Sequence, residues 1–357
     1  MSKIAILCDS HFGVKNGNDF FLDYQERFFR DIFFPYCLKN GIKTIIHLGD
    51  YFDNRRHIPV KVMNRSRKAF LDKLRDFGLH MHIIPGNHDV LFRSTNDICS
   101  LKEAMGYYTD CVTIHMKPGD VEIEGQSFCM MPWINADNLE ECQKAITSSS
   151  APIMCAHLEL SGFQMMKGIM SQASHEEVTT KDLDKFDFVF TGHYHTKSSS
   201  GNIHYLGTQF ELTWADSDDP KYFHVFNTET HKNTRVRSPE TIFHKLYYDD
   251  SENPEEMLRA QKDKLTGTYI RIIVSKKEDT ERFDRFVDEV ALLDPEDLKV
   301  FDSYNSFKAA EDQEDEDVKD TLELIRSYID DVETDLDKEK LKRLAIQLHI
   351  EASNLED

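Results

Sequence analysis

Five strand-like apolar runs in this chain each end in side chains that bind metals or transfer protons. The runs cover residues 3–8, 44–48, 80–84, 152–156 and 186–190, and they lead into Asp9 and His11, Asp50, Asn87 with His88 and Asp89, His157, and His193 with His195. Ligands bind at the carboxyl ends of strands in an open α/β sheet, so we expect these residues to share one sheet edge. Residues two apart in an extended segment point to the same side, which lets Asp9 and His11 converge.

Helix-like segments alternate with these runs. The patterns predict helices over residues 19–39, 60–77, 97–105 and 139–147, and further strands over 111–115, 121–124, 127–131, 203–206 and 222–226. Alternating strands and helices are typical of a layered α/β domain, which we place at residues 1–235.

A second, smaller unit follows at residues 236–305. It contains a strand-like run at 268–275, an amphipathic helix at 280–293 and another strand-like run at 298–303. This order predicts a compact capping unit of the βαβ type. It carries no ligand cluster of its own.

The remainder of the chain is an acidic linker at residues 306–317 and two short predicted helices within 318–357. Their apolar stripes consist of Val318, Leu322, Ile325 and Ile329, and of Leu341, Leu344, Ala345 and Leu348. A pair of short helices behind an acidic linker buries little surface by itself, so we favour docking on a partner protein. Packing on the capping unit is the alternative.

The set of candidate ligands contains carboxylates, one amide and several imidazoles, but no thiolate. Mixed oxygen and nitrogen ligands suit Mn²⁺, Fe or Zn²⁺ better than they suit a structural zinc site. About seven positions are too many for one tetrahedral ion and fit two ions that share a bridging carboxylate. Two ions roughly 3.5–4 Å apart are the pattern of phosphoester hydrolysis. His47, His80, His82 and His204 lie within or beside the runs, and we interpret them as structural.

The net charge of −21 argues against simple electrostatic binding to nucleic acid, because phosphate contacts require Lys and Arg. The segment of residues 54–75, in contrast, has a net positive charge. We take the candidate DNA contacts from this segment, and they are Arg55, Arg56, Arg65, Arg67 and Lys68. A solvated helix face is the alternative interpretation.

Other features of the sequence concern its compartment. No window approaches eighteen uninterrupted apolar residues, so we expect no membrane span. The seven cysteines include no CxxC pair, which is typical of reduced thiols. We therefore expect a cytoplasmic protein.

The order Asp-x-His, Gly-Asp-x-x-Asp, Gly-Asn-His-Asp, His and Gly-His-x-His resembles that of the calcineurin-like metallophosphoesterases. More narrowly, the segments 50–53, 156–160, 191–195 and 203–208 resemble the SbcD-type (Mre-eleven type) recombination nuclease subunits of T-even-like bacteriophages. The resemblance implies a layered α/β/β/α sandwich with a small α+β capping domain for DNA recognition and a C-terminal helical hairpin.

This resemblance also implies roles for the site residues. One Mn²⁺ would be held by Asp9, His11, Asp50 and His195, and the other by Asp50, Asn87, His157 and His193. Mg²⁺, Fe and Zn²⁺ are the alternative metals. His88 would act on the leaving oxygen or the phosphate, and Asp89 would hold the His88 ring. Some relatives carry a second catalytic histidine where this chain has Asp53, and whether Asp53 or the nearby His57 replaces it stays open.

The activity implied by the resemblance is that of a 3′–5′ exonuclease on duplex DNA and an endonuclease on single strands. Such nucleases form homodimers and work in recombination and DNA repair with an SbcC-type coiled-coil ATPase, which would bind Leu322, Ile325, Ile329, Leu341, Leu344 and Leu348 of this chain. Two alternatives stay open. One is a metallophosphatase acting on a small phosphoester or a phosphoprotein, and the other is a non-catalytic scaffold.

Overall fold

The computed structural model describes residues 2–171 and 178–302, together with 329, 338, 340–342 and 344–345. The chain forms two compact units, Met1–Phe243 and His244–Asp357. Within the described residues, no helix has both the length and the apolar character that a membrane span needs.

The first unit contains two six-stranded sheets. The first sheet has the order β16-β15-β1-β2-β3-β6, in which β1, β2, β3 and β6 are parallel and β15 and β16 are antiparallel additions. Its strands are β1 Lys3–Leu7, β2 Thr44–His47, β3 His80–Ile83, β6 Val112–Ile114, β15 Tyr222–Asn227 and β16 Lys232–Arg237.

The second sheet has the order β13-β14-β12-β9-β8-β7. Its four central strands are parallel, whereas β13 and β7 pair antiparallel at the two edges. The strands are β7 Gly119–Ile123, β8 Gln126–Met131, β9 Ile153–His157, β12 Phe188–Gly192, β13 Ser198–Ser200 and β14 Ile203–Tyr205. This unit also has two small hairpins, β4 Val90–Phe92 with β5 Thr95–Cys99, and β10 Gln164–Met166 with β11 Ile169–Met170.

Helices cover the outer faces of the sheets. Helix α1 consists of Asp19–Arg27, the wider π-helical segment Phe28–Phe33 and Phe34–Lys39, and α2 consists of Val60–Ser66, the π-helical segment Arg67–Leu71 and Asp72–Phe77. Two shorter helices are α3 Ser100–Met105 and α4 Leu139–Ser148. Short 3₁₀ turns lie at Thr180–Leu183 and Trp214–Asp216, and a non-ideal helical turn lies at Val14–Gly17.

The period of two along the strands decides which core each side chain joins. In β8, Phe128 and Met130 face the core between the two sheets, together with Ile4 and Ile46. The alternate residues Cys129 and Met131 pack with α4 on the outer side.

Helices α1 and α2 cover the opposite side of the first sheet through aromatic residues. Phe33 of α1 lies 5.2 Å from Phe223 of β15, and Phe29 lies 4.8 Å from Phe70 of α2, both measured between ring centroids. The order of layers is therefore helix, sheet, sheet, helix, and the predicted α/β sandwich is confirmed. All seven cysteines lie in the interior as thiols.

The second unit has a three-stranded sheet in the order β17-β18-β19. Its elements are β17 Phe243–Asp249, α5 Pro254–Leu265, β18 Tyr269–Lys276, α6 Thr280–Ala291 and β19 Asp297–Asp302. Strands β18 and β19 are parallel and α6 connects them, so the predicted βαβ arrangement is present. The sequence did not predict β17 or α5.

Two sequence-based expectations differ from the structure. The segment 97–105 is not one helix, because residues up to Cys99 belong to the β4–β5 hairpin and only Ser100–Met105 is helical. The expected boundary at residue 235 falls inside β16, and the division between the units lies after Phe243.

Most of the predicted helical hairpin, like the acidic linker, lies outside the described residues. Of the six predicted partner contacts, Ile329 is helical and buried, Leu341 is half-buried and Leu344 is exposed. Leu322, Ile325 and Leu348 are not among the described residues.

Candidate metal centre

The predicted ligands meet at the carboxyl ends of β1, β2, β3, β9 and β12. The loops after β1 and β2 continue side by side, because the backbone N–H of Asp9 donates to Gly49 C=O at 3.0 Å and that of His11 donates to Asp50 C=O at 3.0 Å. This pairing holds the first three predicted ligands at one place.

Four of the ligand candidates have left-handed backbone conformations. The φ angles are 47° at Asp9, 43° at His11, 52° at Asp50 and 89° at His193. Such conformations are uncommon for residues with a side chain and cost energy that the surrounding structure must supply. Their concentration here shows that the loops are held to aim these side chains inward.

The side chains form two groups that share a carboxylate. The possible ligand atoms of Asp9, His11 and His195 lie within 4.8 Å of one another, as do those of Asp50, His157 and His193. Asp50 Oδ2 lies 3.4 Å from His157 Nε2 and 3.7 Å from His11 Nε2. The Asp50 carboxylate therefore reaches both groups, as a bridging ligand must.

Asn87 lies in the second group. Its Oδ1 is 3.0 Å from His157 Nε2 and 3.0 Å from His193 Nδ1. The structure thus brings all seven sequence-predicted metal ligands to one centre.

The donor set fits a pair of divalent cations. Asp9 Oδ2 is buried and has no hydrogen-bond partner among the described residues, so one lone pair there is unsatisfied. Buried polar atoms are nearly always paired, and a carboxylate oxygen aimed into a cluster of imidazoles is an oxygen ligand for a metal. Such a donor set suits Mn²⁺, Fe or Zn²⁺.

Titration of the centre gives a second sign of this fit. Burial raises the pKa of Asp9 to about 6, and the nearby Asp50 carboxylate adds to that rise. Burial alone would lower the pKa of His157, but the Asp50 and Asp9 carboxylates outweigh it and raise that pKa to about 9. Without a cation, the carboxylates thus favour the protonated form of His157, and a metal that binds there displaces that proton.

Backbone groups orient the ligands. His157 Nδ1 donates to Leu48 C=O at 2.8 Å, which turns Nε2 towards Asp50. The backbone N–H of His193 donates to Asp9 Oδ1 at 2.9 Å. The contact of His157 fixes the tautomer and direction of its imidazole, and that of His193 positions the Asp9 carboxylate.

His88 lies at the same centre and is held by the loop after β2. Its Nδ1 is 2.5 Å from Asp53 C=O, and only a protonated Nδ1 can bond to a carbonyl, so the lone pair of the neutral ring is on Nε2. Burial lowers the pKa of His88, which favours the neutral imidazole. The possible ligand atoms of His88, His11 and Asp50 also lie within 4.8 Å of one another. Distance alone therefore does not exclude His88 as a metal ligand.

Asp89 does not hold the His88 ring as the resemblance implied. Its Oδ2 accepts the backbone N–H of Gly86 at 3.0 Å, and its Oδ1 accepts those of Tyr51 at 3.0 Å and Phe52 at 3.3 Å. The carboxylate therefore fastens the loop after β3 to the loop after β2, and the Asp53 carbonyl holds His88.

Asp53 contacts two site histidines at once. Besides its carbonyl bond to His88, its Oδ1 lies 3.3 Å from His11 Nδ1. His57 instead lines a small cleft beside Asn16 and Val62. The sequence showed Asp53 only as a departure from relatives. Its contacts with His88 and His11 depend on loop geometry, which the sequence does not reveal.

Position 86 has room only for glycine. A Cβ on Gly86 would lie 2.1 Å from Asp50 Oδ1 and 2.5 Å from the Asp50 backbone nitrogen. Any side chain there would displace the bridging carboxylate. Gly86 has no positive φ. Gly49 has a φ of 95°, and a Cβ added there would lie 2.7 Å from both Gly86 N and His157 Nδ1.

A buried lysine supports His195 and has no signal in the sequence. Lys221 Nζ donates to His195 C=O at 3.0 Å, to Asp216 Oδ1 at 2.6 Å and to Asp219 Oδ2 at 2.8 Å. Asp216 Oδ2 in turn accepts the backbone N–H of Leu212 at 2.9 Å. The network ties the loop that carries His195 to the start of β15.

Gln25 and His47 form a polar layer beneath the first group. Gln25 Nε2 donates to Ser10 C=O at 2.8 Å and to His11 C=O at 3.2 Å. Ser10 Oγ lies 2.8 Å from His47 Nε2, and burial lowers the pKa of His47 to about 3. This neutral, buried histidine has structural contacts only.

The basic segment is partly neutralised by acids of α1 and by Asp72 of α2. Arg65 contacts Glu26 at 2.6 Å, Asp19 at 3.4 Å and also Asp23, and Arg67 contacts Asp72 at 3.3 Å. Of the other predicted DNA contacts, Arg56 and Lys68 are exposed and Arg55 is half-buried. Counting charges along residues 54–75 overlooked acidic partners on a separate helix.

Comparisons with known proteins agree with this geometry. Residues 2–223 match the family model described as calcineurin-like phosphoesterase. The chain is similar to "Exonuclease subunit 1" of Enterobacteria phage T4, with 30% identity over 354 residues that cover 98% of this chain and 99% of the relative.

Two solved structures are also similar to this chain. A protein of Thermus thermophilus has a TM-score of 0.40 and 11% identity, covering 66% of this chain and 98% of its own. An archaeal phosphodiesterase has a TM-score of 0.34 and 15% identity, covering 66% of this chain and 99% of its own.

Proposed function

Because this chain belongs to the calcineurin-like phosphoesterase family, we propose that it is a two-metal phosphodiesterase that hydrolyses DNA. The observation that carries the proposal is the Asp50 carboxylate, which lies between two groups of ligands and reaches both. Two adjacent cations are the arrangement that stabilises the attacking and leaving oxygens of a phosphodiester.

The proposed ligands are those of the two groups. Asp9, His11, Asp50 and His195 would hold one ion, and the second would lie between Asp50 and the side chains of Asn87, His157 and His193. When bound, the two ions supply Lewis acidity that activates water and offsets charge on the phosphate. We propose Mn²⁺ for both positions.

His88 is the proposed proton donor. Its Nδ1–H is fixed on Asp53 C=O, so Nε2 is the atom available to a substrate. A phosphate beside the ring favours the protonated imidazole, since an opposite charge raises a histidine pKa. The Nε2 proton can then pass to the leaving oxygen.

The name of the T4 relative, an exonuclease subunit, supports a nucleic-acid substrate and a partner subunit, and the finer assignments rest on the family resemblance. We propose 3′–5′ exonuclease activity on duplex DNA and endonuclease activity on single strands, in recombination and repair in the host cytoplasm. A homodimer and an SbcC-type ATPase bound through residues 318–357 complete the proposal. The proposed DNA contacts are Arg55, Arg56, Arg65, Arg67 and Lys68, of which Arg65 and Arg67 also contact acidic side chains.

A comparison of substrates tests this function. We expect the purified chain with Mn²⁺ to shorten linear duplex DNA and to cleave single-stranded circles, and chelation should abolish both activities. An aryl phosphate monoester is the control substrate. Hydrolysis of the monoester without cleavage of any DNA would instead support the metallophosphatase alternative.

A further inference from the structure

A groove beside the second ligand group carries features that the metal chemistry does not use. It has a volume of about 380 Å³, and His157 forms part of its wall. Binding pockets for small ligands span roughly 300–1,000 Å³, so the groove has room for one nucleotide unit. We propose that it binds an unpaired nucleobase of the substrate strand, with Trp133 as the stacking platform. This inference rests on the proposed DNA hydrolysis.

Trp133 lies directly against two of the candidate ligands. Its ring centroid is 5.5 Å from that of His193 and 5.8 Å from that of His157. The indole is only half-buried by these neighbours, and it also lines the groove. A nucleotide whose phosphate lies at the metal centre therefore has its neighbouring base within reach of this ring.

The backbone that carries Trp133 is rigidly held. Its N–H donates to Pro85 C=O at 2.9 Å, and its carbonyl accepts the side-chain amides of Asn96 and Asn138, each at 2.9 Å. Asn135 Nδ2 also donates to Asn96 Oδ1 at 2.7 Å, which joins the Trp133 loop to the β4–β5 hairpin. A platform fixed before binding loses little conformational entropy when a base stacks on it.

The remaining wall supplies the charge that a nucleotide needs. Arg93 lines the groove on the same wall as Glu159, so a cation lies beside the platform. Leu158, Leu160 and Ile134 provide apolar surface. Aromatic residues next to a cation are the usual means of binding single-stranded nucleic acid without sequence preference, because every base has a π-face.

The occupant must be an unpaired base. A base inside a duplex is stacked on both faces and offers none to an indole. The groove therefore favours a frayed end or a single strand over an intact duplex. Binding at this position also selects phosphodiesters that carry a base over those that do not.

Two small phosphodiesters test the inference. Thymidine 5′-(p-nitrophenyl phosphate) carries a base and methyl p-nitrophenyl phosphate does not. We expect Trp133→Ala to lower kcat/KM for the thymidine ester roughly tenfold or more relative to kcat/KM for the methyl ester, as expected for one lost stacking contact. Trp133→Phe should keep most of the difference between the substrates.

Fluorescence provides a readout that needs no catalysis. The chain contains two tryptophans, and Trp214 is buried, so Trp214→Phe leaves Trp133 as the single reporter. Oligothymidylate should quench this emission, whereas an abasic oligomer of equal length should not. Anisotropy of the labelled oligomers measures their binding independently.

The outcomes separate the two proposals. If Trp133→Ala lowers activity on both esters equally, Trp133 only supports His157 and His193, and the inference is wrong. The inference is also wrong if oligothymidylate binds to the protein but does not quench the emission of Trp133. If wild-type protein neither binds nor cleaves DNA, the proposed function fails, and the base site fails with it.

Discussion

Among single residues, His88 is the position where sequence and structure differ most in what they imply. The resemblance places it outside the metal shell, whereas its ring lies within ligand distance of His11 and Asp50. Its Nδ1 bond to Asp53 C=O leaves Nε2 free for either role.

Replacement of His88 separates these roles. We expect His88→Ala to retain two metals per chain and to lose cleavage by about 10²–10⁴-fold, the usual contribution of a positioned proton donor. Metal content by mass spectrometry and nuclease rates with Mn²⁺ measure the two effects. His204→Ala, a half-buried histidine bonded to Ser199, is the control. Loss of one metal would make His88 a ligand.

Among the structural elements, the long segment between β14 and β15 holds the site from behind. Lys221 fixes the His195 carbonyl from the start of β15, and Asp216 fixes the preceding turn. Glu211 joins the same segment to the last residues of the first unit, because its Oε2 accepts the backbone N–H groups of Ile242 at 2.6 Å and Phe243 at 3.0 Å.

Removal of the buried lysine should loosen His195. Lys221→Met leaves Asp216 and Asp219 without their cation, and breaking a buried pair from one side costs about 3–5 kcal/mol. We expect that loss in the free energy of unfolding by denaturant titration, together with weaker binding of one of the two metals. Lys181→Met, on an exposed lysine, should change neither quantity. If Lys221→Met binds both metals as tightly as wild type does, the lysine does not position His195 for metal binding.

The buried Glu211 predicts a pH dependence of stability. Burial raises its pKa from 4.5 to about 7. The folded state therefore binds the proton more tightly, and the stability that Glu211 contributes is present below pH 4.5 and is lost as the pH rises to about 7. The slope is about 1.4 kcal/mol per pH unit across that window.

A neutral replacement should remove this dependence. Glu211→Gln can still accept both backbone N–H groups, so we expect its stability relative to wild type to rise between about pH 5 and about pH 8. Denaturant unfolding at the two pH values measures the difference. Glu103→Gln, on an exposed glutamate, is the matched control. A constant difference across this range would contradict the raised pKa.

At the scale of the whole molecule, the net charge of −21 is unfavourable for the proposed DNA substrate. The local distribution of charge matters more than this net value. Part of the basic segment is paired with acids of α1, which reduces the positive charge that it can offer to DNA. The proposed metal ions and the proposed ATPase partner would be further sources of attraction for DNA.

Deletion of residues 311–357 tests the C-terminal region. We expect the shortened chain to lose binding to an SbcC-type ATPase and to keep weak Mn²⁺-dependent nuclease activity, because the proposed metal ligands all precede residue 196. Co-purification measures binding, and the full-length chain is the reference. Retained binding would place the ATPase contact elsewhere on the chain.

Local patterns in the sequence were enough to predict the layered α/β architecture and the strand ends whose side chains meet at the centre, whereas the choice of seven of these side chains as ligands came from the family resemblance. Both follow from simple rules, since strand ends are marked by the end of an apolar run and parallel strands bring those ends to one edge. The sequence patterns did not predict the β4–β5 hairpin, because polar and apolar residues do not alternate clearly along it.

The support of the centre, in contrast, could be read only from the folded chain. The bond from Asp53 to His88, the space that Gly86 leaves for Asp50 and the contact of Lys221 with His195 all join residues from separate loops. The same holds for Arg65, whose acidic partners lie on α1. Periodicity reports which face of an element is buried, but loop conformation and packing between distant segments decide which side chains touch.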